Sequence, residues 1–169
     1  MARVEETIDV RVPVRVAYDQ WTQFEEFPRF MEGVERVVQR DDATLEWTAR
    51  VAGQRKSWTA RIVDQTPDRR VAWESTTGAR NAGAVTFEPL DEARTRVRVE
   101  IEAEPEGPAE TAGAALGLLE RQVREDLERF RAFIEARGRE TGAWRGEIRS
   151  GRVTTDDEGG PESSTPPFS

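Results

Sequence analysis

The chain has 169 residues, 36% of them hydrophobic and 34% charged, with a net charge of −8. That length suits one domain with a sizeable core, and an acidic chain without a long basic run does not suit phosphate-contacting nucleic-acid binding. Cysteine and histidine are both absent, which excludes disulfides, thiolate nucleophiles, Ser–His triads and histidine metal ligands.

No apolar run approaches the roughly 18 residues a membrane-spanning helix needs. The N-terminal MARVEETIDV lacks a signal-peptide core. A cytoplasmic protein with no integral membrane segment is therefore expected. No phosphate-cradling glycine loop and no metal-ligand cluster is present, so no cofactor or metal is expected.

The first predicted element, Val4 to Val12, alternates Val4, Ile8, Val10 and Val12 (with Glu6) against Glu5, Thr7, Asp9 and Arg11, the pattern of a half-buried strand. Pro13 brings no N–H and stops the ladder. The following VRVAYDQWTQFEEF reads as a short helix with Val14, Ala17, Tyr18 and Trp21 inward, broken at Pro28. Phe24, Phe27, Phe30 and Met31 cluster around that break, either plugging one end of the core or forming a lid or mouth over a cavity.

A meander follows. Its strands are Val34–Arg40, Thr44–Ala52, Gln54–Gln65, Arg70–Thr76, Asn81–Pro89 and Arg94–Ala103, divided by turns bearing Gly, Pro or Asp. One face collects Trp47, Trp58, Ile62, Trp73, Phe87 and Val99, the other charged and hydroxyl side chains. A sheet apolar on one side must be covered once. A hairpin turning at Ala52–Gly53 sets Trp47 directly opposite Trp58.

The cover is a helix from Pro108 to about Gly138. Leu116, Leu119, Val123, Leu127, Phe130 and Ile134 fall 3, 4, 4, 3 and 4 apart, one stripe of an α-helix. Residues 112–134 alone span about 35 Å at 1.5 Å per residue. The small residues of Thr111–Gly117 either allow close packing or leave a cavity floor. Residues 1–138 are thus expected to be the domain. Residues 139–169, acidic and rich in Gly, Ser and Pro, are expected to be a disordered tail. Trp144 either docks that segment or stands exposed as a partner contact.

The expected class is α+β: a curved antiparallel sheet of about seven strands wrapped around a long C-terminal helix, with one or two short helices after the first strand. In this order the elements resemble the helix-grip fold of the START-like superfamily. The segments VPVRVAYDQWTQFEEFPRFMEGVERV (12–37), RIVDQTPDRRVAWES (61–75) and GAVTFEPLDEARTRVRVEIE (83–102) are similar to its polyketide cyclase/dehydrase group, which is related to coenzyme Q-binding START proteins. The resemblance implies a hydrophobic cavity between sheet and long helix. Its wall would be Trp47, Trp58, Trp73, Phe87 and Val99, its mouth near Tyr18, Phe30 and Met31. Polar inner-face candidates are Lys56, Ser75, Asn81 and Glu6, of which Glu6 and Lys56 either pair or lie at exposed strand ends.

Three functions fit. The first is non-catalytic binding of a small hydrophobic molecule such as a lipid, isoprenoid quinone or polyketide, with Asn81 as a polar contact. The second is a cyclase or dehydratase whose acid–base groups would be Tyr18, Lys56 or a buried carboxylate. The third is an interaction protein with a filled cavity and a protein partner at the C-terminal tail. No acid–base pair stands out, so no catalytic residue is assigned.

Overall fold

The computed structural model describes residues 2–51, 54–103 and 109–154. In chain order the elements are β1 (Ala2–Val10), α1 (Val14–Trp21), a 3₁₀ segment (Phe24–Arg29), β2 (Val34–Asp41), β3 (Thr44–Val51), β4 (Gln54–Thr66), β5 (Arg70–Gly78), β6 (Asn81–Asp91), β7 (Arg94–Ala103), α2 (Ala109–Arg137), β8 (Glu147–Arg149) and β9 (Arg152–Thr154). The sheet runs β1-β7-β6-β5-β4-β3-β2, every neighbouring pair antiparallel. Strands β2 to β7 are successive hairpins, and β1 closes onto β7. The chain must therefore cross from one sheet edge to the other between β1 and β2, and α1 and the 3₁₀ segment make that crossing. This is the helix-grip architecture.

Period-two patterning does what the sequence requires of it. In β1, Val4, Ile8 and Val10 are buried, while Glu6 turns to α2 and pairs with Arg124 at 3.4 Å. Lys56 is not its partner there. On α2 the buried stripe is Leu119, Val123, Leu127, Phe130 and Ile134, with Leu116 partly buried. Pro13 starts α1: its carbonyl accepts from Val16 N–H (3.0 Å) and Ala17 N–H (3.2 Å).

The short helix ends at Trp21 rather than running to Pro28, which lies inside the 3₁₀ segment. Phe24, Phe27 and Phe30 are buried there. Rings at 4.9 to 5.4 Å link Trp21, Phe27 and Phe30 to Phe130 of α2. Tilted and edge-on rings at such spacing are favourable beyond their buried area, so this cluster ties the crossing segment to the long helix.

Beyond Gly138 the chain returns to the sheet. Strands β8 and β9 form a hairpin, and β8 joins β4 through Ile148 opposite Gln65. Ile148 is fully buried. The approach to this hairpin is fastened to α1. Gln20 donates to Thr141 Oγ1 (3.0 Å) and accepts from Thr141 N–H (2.8 Å), and Trp144 N–H donates to Thr22 Oγ1 (3.0 Å). Arg145 pairs with Asp19 and, at 2.8 Å, with Asp68. Trp144 thus docks against the core. Residues 155–169, the Ala52–Gly53 turn, the Pro108 helix start and the side chains of Thr111–Ala115 lie outside the described residues.

Candidate functional site

Between the inner face of β3–β7 and α2 lies a cavity of about 180 Å³. Its sheet wall carries Trp47, Trp58, Trp73, Val99 and Ile101; α2 contributes Leu119, Val123 and Leu127. The register expected at the β3–β4 hairpin is present: Trp47 faces Trp58. Their rings stack with centroids 5.8 Å apart and planes 7° from parallel.

Backbone geometry sets these indoles. Trp73 faces Gly83 across β5–β6, and a Cβ at Gly83 would come within 2.5 Å of the Trp73 ring. Only glycine leaves the ring flat against the strand. Trp73 Nε1–H donates to Asn81 Oδ1 (3.1 Å), Asn81 Nδ2 donates to Ala79 O (3.0 Å), and Asn81 N–H donates to Ser75 Oγ (3.0 Å). The turn holding Asn81 leans on β4. Gly78, at φ +83°, would place a Cβ 2.3 Å from Ser57 O, and Ala79 N–H donates to that same oxygen at 3.3 Å. Trp58 Nε1–H is buried without an acceptor among the described residues.

The cavity lining also has polar members, Lys56, Arg80, Asn81 and Gln122. Gln122 reaches across from α2 to donate to Arg50 O at 2.6 Å. Asp126, also on the wall, is 8% exposed. Burial pushes its carboxyl above the usual carboxylate range, against the pull of Arg129, which donates to it at 2.7 Å. Among the described residues no group of three or more acidic side chains could hold a metal, and no helix is long and apolar enough to cross a membrane.

Of the nine residues expected to bind ligand, Trp47, Trp58, Trp73, Val99, Met31 and Asn81 line this cavity. Tyr18, Phe30 and Phe87 do not; they are buried in the core where the crossing segment packs on β6 and α2. Tyr18 packs edge-on to Phe87 at 5.4 Å and accepts from Gln65 Nε2 at 3.0 Å. Burial pushes its phenol up to about 12. Phe30 sits between Phe27 and Phe130. Of the aromatic cluster, Phe24, Phe27 and Met31 do double duty, closing the core and reaching the cavity. Gln122 and Asp126 were not foreseen. They lie four apart at the margin of the apolar stripe, one turn from Leu119 and Val123, and that spacing is the signal for them.

An open, apolar-walled space between a curved sheet and its helix defines the class of protein. Residues 10–131 match the family described as polyketide cyclase/dehydrase and lipid transport, and the chain belongs to it. It is 50% identical over 149 residues to an uncharacterized 17.2 kDa protein from the melC2-rnhH intergenic region of Streptomyces lincolnensis, covering 88% of this chain and 99% of that one. The solved structures that share its fold include two examples. One is the Zhui aromatase/cyclase from Streptomyces sp. R1128, with TM-score 0.66, 21% identity, and 85% of this chain and 99% of that one covered. The other is a START superfamily protein from Mycobacterium smegmatis, with TM-score 0.60, 15% identity, and 80% and 95% covered.

Proposed function

We propose that the protein binds a small hydrophobic molecule, of lipid, quinone or polyketide type, in the cavity between sheet and α2, and does so without catalysis. The cavity itself carries this reading: about 180 Å³ walled by three half-buried tryptophans and aliphatic side chains of α2. An apolar cavity of about 150 Å³ is enough to take up benzene, so one or two fused rings, or the head of a longer molecule, match the volume. Binding pockets of roughly 300–1,000 Å³ hold larger ligands whole, so a long isoprenoid chain would extend out through the mouth.

The experiment is native mass spectrometry of gently purified protein, followed by solvent extraction of what co-purifies. Titration with 2-methyl-1,4-naphthoquinone, read by tryptophan fluorescence, runs beside it. A stoichiometric adduct or saturable quenching is the expected result. Adduct-free protein with no saturable quenching overturns the reading.

One observation favours a second reading, a cyclase or dehydratase. Asp126 is a buried carboxyl on the cavity wall with its proton affinity raised by burial, the condition under which a carboxyl serves as general acid. Under that reading, Asp126→Asn would abolish turnover of a poly-β-ketone substrate while leaving its binding intact.

A further inference from the structure

Lys56 is the only lysine among the chain's 25 cationic residues, and it lines the cavity. We propose that the cavity's ligand is a small planar acid, its rings held against the tryptophan wall and its carboxylate at Lys56 and Arg80. This rests on the cavity being a binding site and adds the chemical class of what it binds.

The placement supports it. Lys56 precedes Trp58 by two residues, so both project from the same face of β4. Ala49 stands opposite Lys56 as Trp47 stands opposite Trp58. A molecule stacked on the indoles therefore ends one residue pair away from the ammonium. Arg80 enters the same corner because the turn after β5 is seated on Ser57 O, beside Trp58. Lys56 is half-buried and Arg80 exposed, which sets one cation inside the mouth and one at its rim. Among the described lining residues the one carboxyl, Asp126, comes from α2 and is paired with Arg129.

The choice of lysine matters physically. An ammonium is a compact point charge on a flexible stem, able to follow a carboxylate in a narrow space where a planar guanidinium fork is restricted. Both cations already interact with neighbouring groups of the chain, so a ligand carboxylate joins an existing network. The expected gain is accordingly modest, about tenfold in affinity, or roughly 1.4 kcal/mol.

The test uses naphthalene-2-carboxylate and its methyl ester, two ligands with the same rings and different charge, titrated by tryptophan fluorescence at low and high salt. The acid is expected to bind about tenfold tighter than the ester at low salt and to lose that advantage as salt rises. Lys56→Met should cut the preference to the part Arg80 supplies and Lys56→Arg should keep more of it, each read as the acid-to-ester affinity ratio within the variant. A readout independent of any variant comes from protein labelled with ¹³C-lysine, which has a single lysine spin system. The acid should shift its ε-carbon resonance at saturation, and the ester should not. Equal binding of acid and ester, or a preference undiminished in Lys56→Met, overturns the inference and leaves the cavity's binding role standing. Failure of both ligands to bind, with no shift, removes this inference together with the reading on which it rests.

Discussion

Replacing Arg145 by methionine tests whether the chain beyond α2 is integral to the fold. The Asp19 side chain is 1% exposed, and Arg145 is its closest cation. The same guanidinium reaches Asp68 at 2.8 Å and lies 5.6 Å over the Tyr18 ring. Met fills the space of the stem but leaves the Asp19 carboxylate buried, with Oδ2 already lacking a hydrogen bond. Removing one partner of a buried pair costs roughly 3–5 kcal/mol. Arg15 remains, 3.6 Å from Asp19 but 68% exposed, and Arg145 is itself 29% exposed, so the low end, about 3 kcal/mol, applies. For a domain of this size that is a fall in Tm of about 6–12 °C.

The loss should depend on pH. Burial already raises the Asp19 carboxyl above its usual range, Arg145 opposes this, and neighbouring Glu140 adds to it. Without Arg145 the folded-state pKa moves further above the unfolded one. The native state then holds more protons in the window between the two, so the variant gains stability as pH falls through it. Urea denaturation of wild type, Arg145→Met and Arg145→Met/Asp19→Asn at pH 7.5 and 5 measures this. The variant's deficit should shrink at pH 5, and Asp19→Asn should recover most of it at pH 7.5. A deficit below about 1 kcal/mol, or one equal at both pH values, would refute the account of Asp19 as a buried charge dependent on Arg145.

Ile148→Ala should cost about 2–5 kcal/mol in chemical denaturation, because Ile148 is fully buried against β4; a negligible cost would return residues 139–154 to the status of a tail. Gly83→Val should displace the Trp73 ring and, because the same Cβ would meet Glu100 O at 2.6 Å, also strain the β6–β7 pairing, weakening both naphthoquinone binding and the fold; unchanged quenching would contradict this. A double-mutant cycle of Trp47→Leu and Trp58→Leu should give a coupling of about 0.5–1.5 kcal/mol for stacked rings, and a coupling near zero would mean the stack contributes only its area.

The sheet was legible because two independent signals agree in it. Period-two alternation put the tryptophans on one face, and turn residues fixed the lengths between strands, so the Trp47–Trp58 pairing followed from counting. The site was legible only where it lies on that sheet. Tyr18, Phe30 and Phe87 are as apolar and inward as the lining residues. What separates them is how the crossing segment lies over β6 and β7, and no local pattern encodes that. Asp126 and Gln122 lie at the margin of the helical stripe, where a polar residue is usually wet; here Asp126 is buried and Gln122 is half-buried, held to Arg50 O. Residues 139–154 have the composition of a linker and strands of three residues each, too short for periodicity to register. Their placement comes from polar side chains of α1 more than a hundred positions away.

Strand β2 pairs with no strand other than β3 among the described residues, leaving its other side as an edge of the sheet, where Gln39 N–H donates to Glu25 Oε2 of the 3₁₀ segment at 2.8 Å. Unpaired strand edges are templates on which other chains can add and aggregate. Here Glu35, Arg36 and Arg40 are exposed along β2, with Arg55 clasping Glu35 at 3.1 Å and Arg40 clasping Glu46 at 2.7 Å. A foreign strand laid alongside would have to accommodate both signs of charge in alternation, which few apolar segments can do. Gatekeeping by charge lets the sheet stay open at this end, as it must if a cavity is to form within its curve, without inviting the polymerisation that an open sheet risks.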